Sequence, residues 1–406
     1  MINSNLTNKK NAPNKNVSKN NKLRERMATV LQVLPSLGSD GGVERGTVEI
    51  AQAIVENGGR AIVAATLGPK IHDLDRVGAE HINLPMNSKN PIIIYKNIQR
   101  LVKIIETQGV DIIHVRSRAP AWSAYFASKK TGCPLVTTFH GTYKIQGLIK
   151  RKYNSIMTSG DKIIAISSFI AVHLRLNYGI PNRKISIIHR GVDLQRFNPK
   201  AVSAERIINL SEKWRIPSGL PIVMLPGRLT RWKGHTFFIE AIAKLKRQNL
   251  LCLLVGGDQG RSGYRKELEA LVVKHKLEQV IRVVDHCNDM PAAYMLADLV
   301  VSASIEPEAF GRVIVEAQAL GRPVIATDHG GPQETIIQDK TGWLVPPKNI
   351  DVLAKTIEIA LSLNNEKRTA FFNNGISNIQ NNFSKDAMCA KTLDVYNQVL
   401  SLKSAN

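Results

Sequence analysis

From Thr29 onward, short apolar runs alternate with longer stretches in which apolar residues recur every three or four positions. A short apolar run bounded by turn formers reads as a strand buried on both faces, and the longer amphipathic stretch as a helix laid over it. Strands are therefore expected at Thr29–Leu34, Ala61–Thr66, Asp111–Val115, Leu135–Phe139, Ile163–Ile166 and Ile185–Ile188, with a helix from about Val43 to Glu56 after the first. Between Phe197 and Leu220 the rhythm lapses, and Pro199, Pro217 and Gly219 suit a linker. It resumes with strands at Ile222–Leu225, Leu251–Val255, Ile281–Val284, Leu299–Ser302, Pro323–Ala326 and Gly342–Val345. Helices are expected over Gly234–Arg247, Tyr264–His275, Arg312–Leu320 and Ile350–Leu363.

Strand and helix in repetition build a parallel, doubly wound sheet, and two such series build an α/β chain of two Rossmann-like domains facing a cleft. The expected divisions are a basic tail over 1–26, a first domain over 27–200, a second over 201–383 and a terminal helix within 384–406. In that last stretch Ala387, Met388, Leu393, Val395, Val399 and Leu400 fall at helical spacing, and the first domain is its candidate partner.

Composition sharpens this picture at three points. With 43% hydrophobic and 22% charged residues in 406, both halves can bury a core. No apolar run approaches the roughly 18 residues of a membrane span, and the Asn- and Lys-rich opening lacks the apolar stretch of a secretory signal. Cys133, Cys252, Cys287 and Cys389 form no Cys-x-x-Cys pair, which fits a reducing cytoplasm and neither a zinc site nor a disulfide framework. The net charge of +22 attracts phosphates of some kind. It is spread along the chain without a recognition helix or an aromatic RNA-binding strand, so no nucleic-acid partner is expected.

In open α/β sheets ligands bind beyond the carboxyl ends of strands, so loops after strands are where chemistry is sought. The loop after the first strand, Gly38-Ser39-Asp40-Gly41-Gly42-Val43-Glu44, lets the backbone approach a ligand and opens a helix whose free N–H groups favour phosphate. Gly-Gly by itself is more often a plain turn. In Pro226-Gly227-Arg228-Leu229-Thr230-Arg231-Trp232-Lys233-Gly234, Arg228 and Lys233 can neutralise charge growing on a departing diphosphate. Isolated cations in so basic a chain are usually solvated, and only the position of this loop raises these two above that background. Gly256-Gly257-Asp258-Gln259-Gly260 is a weaker signal of the same kind. The most informative loop is Pro307-Glu308-Ala309-Phe310-Gly311-Arg312-Val313-Ile314-Val315-Glu316. It puts Glu308 before a helix and Glu316 on it among apolar neighbours, where an unpaired carboxylate is costly and a hydroxyl-rich ligand would satisfy it.

Taken together and in order, Gly41-Gly42-Val43-Glu44, Arg228 with Lys233, and Glu308 and Glu316 around Phe310-Gly311 resemble the family-four retaining glycosyltransferases of the GT-B fold. Gly321-Arg322-Pro323-Val324 and Gly330-Gly331-Pro332-Gln333-Glu334 extend the likeness, especially to bacterial members, from about residue 28 to the end. The resemblance implies an enzyme that moves a hexose-type sugar from a nucleotide-sugar donor to a cell-envelope acceptor, such as lipopolysaccharide core or another glycolipid or saccharide, with retention of configuration. It implies that Arg228 and Lys233 grip the diphosphate, that Glu316 meets the ribose and that Glu308 holds sugar hydroxyls. Phe310, Gly311, Arg312 and Val313 would line the donor site, with Gly41 and Gly42 across the cleft, His140 facing the sugar and Glu334 near the site. No cofactor and no metal are implied, and Asp73-Leu74-Asp75 is a three-residue match of the kind that surface turns supply.

Two departures stand out. His189-Arg190 precedes Gly191-Val192-Asp193 where relatives often carry Pro-Asn, and the glycine-rich loop at Gly256 is altered. A basic, apolar-containing segment with Lys144, Lys150, Arg151 and Lys152 is a candidate for contact with an anionic membrane, as a peripheral protein on the cytoplasmic face of the inner membrane. Two other functions share this scaffold: a sugar-nucleotide epimerase, and a non-catalytic nucleic-acid or membrane-binding protein. Neither needs Arg228, Lys233 and both glutamates at once.

Overall fold

The computed structural model describes residues 28–38, 41–143, 147–260 and 262–404. The tail over 1–26 lies outside them, as do Ser39, Asp40 and Lys144. The first sheet contains β1 (Thr29–Ser36), β2 (Arg60–Thr66), β3 (Glu80–Asn83), β4 (Ile112–Val115), β5 (Leu135–Phe139), β6 (Lys162–Ala165) and β7 (Ile185–Ile187), in the order 3-2-1-4-5-6-7. The second contains β8 (Ile222–Pro226), β9 (Leu251–Val255), β10 (Ile281–Val284), β11 (Leu299–Ser302), β12 (Val324–Thr327) and β13 (Gly342–Val345), in the order 10-9-8-11-12-13. The pairs of neighbouring strands are parallel, so this is the doubly wound α/β architecture of the GT-B fold.

The apolar runs set this architecture. All five residues of β5, β8 and β9 are buried, because helices cover both faces of a parallel sheet. In each sheet the order reverses beside the first strand, between β1 and β4 and between β8 and β11. The loops leaving those strands diverge there and open a crevice. The two crevices face each other across the cleft, where Arg45 of the helix Gly42–Glu56 meets Glu316 of the helix Arg312–Ala319.

Two features depart from the pattern-based expectation. The Phe197–Leu220 segment contains a helix, Ala204–Lys213, capped by the Ser203 hydroxyl. Arg206 grips Asp289 through two nitrogens at 2.8 and 2.6 Å, fastening that helix to the second domain. Strand β3 lies outside the expected set, and the helices Pro91–Gln108, Arg118–Thr131, Ser168–Tyr178, Met290–Leu296 and Asn365–Asn382 occupy stretches for which the pattern gives no bounds. The terminal helix, Lys385–Ser404, packs Met388, Cys389, Val395, Tyr396 and Val399 with Ile50 and Ile54 of Gly42–Glu56. Its Tyr396 hydroxyl lies 2.6 Å from His114 Nδ1 inside the first domain.

Candidate functional site

The turn after β8 carries Arg228 and then a single helical turn, Arg231–Lys233. Two contacts press that turn against the end of β11. Ile305 N–H donates to the Trp232 carbonyl at 2.8 Å, and Gly234 sits at φ 74° where a Cβ would fall 1.8 Å from the Ala303 carbonyl oxygen. The Lys233 side chain is thereby aimed inward. It is buried, and its ammonium donates to Glu308 Oε1 at 2.7 Å.

Ser302, the last residue of β11, and Ser304 donate their hydroxyls to the same oxygen. Glu308 is held from behind by its backbone, whose carbonyl accepts from Gly331 N–H at 2.8 Å. Burial would push the Glu308 carboxyl upward, but the Lys233 charge and the three donors outweigh it and hold the group below the usual carboxylate range. All three donors converge on Oε1, so among the described residues Oε2 has no hydrogen-bond partner.

Gly311, at φ 88°, turns the chain into the helix that carries Arg312 and Glu316. The Glu316 carboxylate is buried but not unpaired: Oε1 accepts from Arg312 at 3.1 Å and Arg45 at 3.3 Å, and Oε2 from the Tyr294 hydroxyl at 3.3 Å. This corrects the expectation that a ligand is needed to satisfy it. The i, i+4 partner and the facing domain already do so. Across the cleft, a Cβ on Gly42 would lie 3.3 Å from Arg312 Nη1, and the Gly42 carbonyl accepts from Arg190.

His140 follows β5 with its Nε2 buried and unpartnered among the described residues. Burial drives its pKa well down, and the nearby Arg190, Arg116 and His114 add to that, so the imidazole is neutral at pH 7. Arg228 is exposed, and its side chain has no hydrogen-bond or ion-pair partner among the described residues. Glu334 accepts from Ser168 N–H at 2.7 Å, Phe169 N–H at 2.8 Å and His189 Nε2 at 2.7 Å. Together with the Ser167 hydroxyl on the Ala309 carbonyl at 2.6 Å, it ties the two domains beside Phe310.

Lys233 and Glu308 are thus in direct contact, and Gly42, Arg312 and Glu316 form a second group. Arg228 and His140 bond to none of the other candidate residues. Pattern reading missed Ser302, Ser304, Tyr294, Arg45, Arg116 and Arg190. A Ser-x-Ser at a strand end and an arginine in an altered loop were the available signals. Asp73 belongs to the short helix Ile71–Arg76 and pairs with Lys70 at 2.7 Å and Arg76 at 3.4 Å. Among the described residues no group of three or more His, Cys, Asp or Glu is placed to hold a metal, and no helix is long and apolar enough to cross a membrane.

Comparison with known proteins gives two family matches, "Glycosyltransferase Family 4" over residues 40–196 and "Glycosyl transferases group 1" over 207–378. A glycosyltransferase crystal structure from Rickettsia africae ESF-5 is 40% identical, covering 92% of this chain and 98% of that one with a TM-score of 0.86. The Anabaena protein Alr3699/HepE, solved with UDP-glucose, is 22% identical with a TM-score of 0.77 over 93% of this chain and 100% of its own. A D-inositol 3-phosphate glycosyltransferase of Xylanimonas cellulosilytica is 28% identical over 313 residues, 73% of either chain.

Proposed function

This chain belongs to the family 4, group 1 glycosyltransferases, and from that premise we propose that it transfers a sugar, with retention, from a nucleotide-sugar donor to a cell-envelope saccharide or glycolipid. The epimerase and the non-catalytic binding protein are disfavoured by the same membership. The observation that carries the reading is the buried Lys233, which gives Glu308 one hydrogen bond from an ammonium that has three to offer. The remaining donors suit the oxygens of a departing diphosphate, whose charge grows as the sugar–phosphate bond breaks. Arg228 is free to supply the second cation. Glu308 Oε2 is the acceptor left for a sugar hydroxyl, while Glu316 in its arginine clamp serves the ribose. Phe310 to Val313, with Gly41 and Gly42 opposite, line the donor.

In this scheme the acceptor oxygen bonds to the anomeric carbon, the bond to the diphosphate breaks, and the acceptor proton passes to the departing phosphate oxygen. His140, kept neutral, faces the sugar as a hydrogen-bonding group. No metal is required, since the two cations neutralise the leaving group. The complex of the Anabaena relative makes a uridine nucleotide the first donor to test.

A thermal-shift screen of UDP-, GDP- and ADP-sugars should single out one nucleotide. Ligand at a hundred times its Kd stabilises by about 2.7 kcal/mol, and no shift with any of them would refute the donor assignment.

A second reading concerns location. Ile149 is 89% exposed beside the exposed Lys150, Arg151 and Lys152, so it does not pack inward as in an ordinary surface helix. Such a segment suits the anionic cytoplasmic face of the inner membrane. Reversing Lys150, Arg151 and Lys152 to Glu should abolish co-sedimentation with anionic vesicles and leave the melting temperature unchanged. Undiminished sedimentation would sink the idea.

A further inference from the structure

Arg116 leaves the end of β4 and Arg190 follows β7, and both are buried, at 2% and 7% exposure. Their guanidinium groups converge on one spot: a Cβ on Gly46 would lie 2.6 Å from Arg190 Nη1 and 3.0 Å from Arg116 Nη2. Each guanidinium carries five N–H donors, yet among the described residues each finds a single acceptor, Gln32 Oε1 for Arg116 and the Gly42 carbonyl for Arg190. Arg116 Nε is buried with no partner.

Among the described residues neither forms an ion pair. Glu49 acts on both and Glu44 on Arg116 without an ion-pair contact: Glu49 is engaged by Arg45 at 3.0 Å, and Glu44 Oε2 has no partner among the described residues. Burial, and then each other's charge among further arginines, pushes Arg190 down to about 9. Buried like charges with no carboxylate in contact are costly, and an anion bonded to both would lower that cost.

We propose that Arg116 and Arg190, beside Gly42 and Gly46 with the unpartnered His140 Nε2 nearby, form a subsite for a phosphate or carboxylate carried by the acceptor. This rests on the reading of the chain as a sugar transferase. Both arginines come from strand ends of the first domain, whereas Arg228 and Lys233, the cations given to the donor, stand on the second. Arg312, whose charge reaches Arg190 across the cleft, closes the subsite from the facing domain.

The donor's own diphosphate is the other source of the same chemistry, and the test separates the two. Orthophosphate is titrated into the full chain by thermal shift, with and without saturating amounts of the nucleotide selected by the donor screen. Phosphate should raise the melting temperature equally in both arms. Arg190→Asn, the residue relatives often carry there, should raise the half-saturating phosphate concentration by roughly ten- to a hundredfold, the scale of a lost charge-assisted hydrogen bond.

Arg190→Lys keeps the charge without the fork and should weaken binding by less, so it serves if the first variant does not fold. Loss of the phosphate effect under nucleotide would assign the pair to the donor and overturn the proposal. So would no effect on the unaltered chain, or unaltered binding by the variants. Failure of every nucleotide to bind would instead refute the transferase reading, while the nucleotide-free arm still reports on the pair.

Discussion

Replacing Lys233 by alanine is expected to lower kcat for sugar transfer about a hundred- to a thousandfold, the scale of losing one preorganised partner of a developing charge. The same change removes the one cation bonded to Glu308 among the described residues and leaves a buried carboxylate that costs about 3–5 kcal/mol. Two signatures separate this from general damage. In the unaltered chain the Glu308 carboxyl is depressed, so its contribution is complete above the unfolded carboxylate pKa and is lost as pH falls through the lower folded value. In Lys233→Ala burial is opposed only by the two serine hydroxyls, the carboxyl rises, and the deficit shrinks on acidification as Glu308 takes up a proton. The melting-temperature gap between the two proteins should therefore narrow from pH 7 to pH 5. Pairing Lys233→Met with Glu308→Gln should restore stability without restoring turnover. Normal turnover in Lys233→Ala, or a gap indifferent to pH, would remove Lys233 from its assigned role.

Gly234→Ala should be the most damaging single methyl group near the site. Its φ of 74° is the left-handed region, which costs an ordinary residue about 1–2 kcal/mol. The new Cβ would also fall 1.8 Å from the Ala303 carbonyl oxygen, a backbone atom at the end of β11 that cannot rotate away. Either the Lys233 turn or the strand end must move, so the total should exceed about 3 kcal/mol, as overpacking adds to strain. Displacing the turn also separates Lys233 from Glu308, and turnover should fall with stability. Gly260→Ala is the control: its φ of 76° is similar, but among the described residues nothing lies within 4 Å of the added carbon. Urea denaturation of both should show a small loss for Gly260→Ala and a much larger one for Gly234→Ala. Equal losses would show that the contact with Ala303 does not matter.

Much of this architecture is legible in the pattern of apolar runs. Strands such as Leu135–Phe139, Leu251–Val255 and Gly342–Val345 are found where the pattern puts them, because a strand covered on both faces is made mostly of apolar residues. Strand β3 is only partly buried, so its residues carry no such signature. The helix Ala204–Lys213 has no fully buried residue and hid within a stretch that looked like a linker. The loops that carry Arg228, Lys233 and Glu308, the last leading into the helix of Glu316, are also visible, since they follow strands and combine glycine with charge.

What those side chains bond to is another matter. The sequence by itself determined the fold class, the sites of the loops and the presence of two cations and two glutamates among them. Only the tertiary structure decided that Lys233 pairs with Glu308 while Arg228 stands free, that Glu316 is clamped by Arg45 from the other domain, and that Arg116 and Arg190 share one pocket. The physical reason is one of range. Hydrophobic period is a property of a single element and its own buried face, whereas each of these contacts joins residues of different elements far apart in the chain, which only the folded arrangement of the two sheets and their helices brings together.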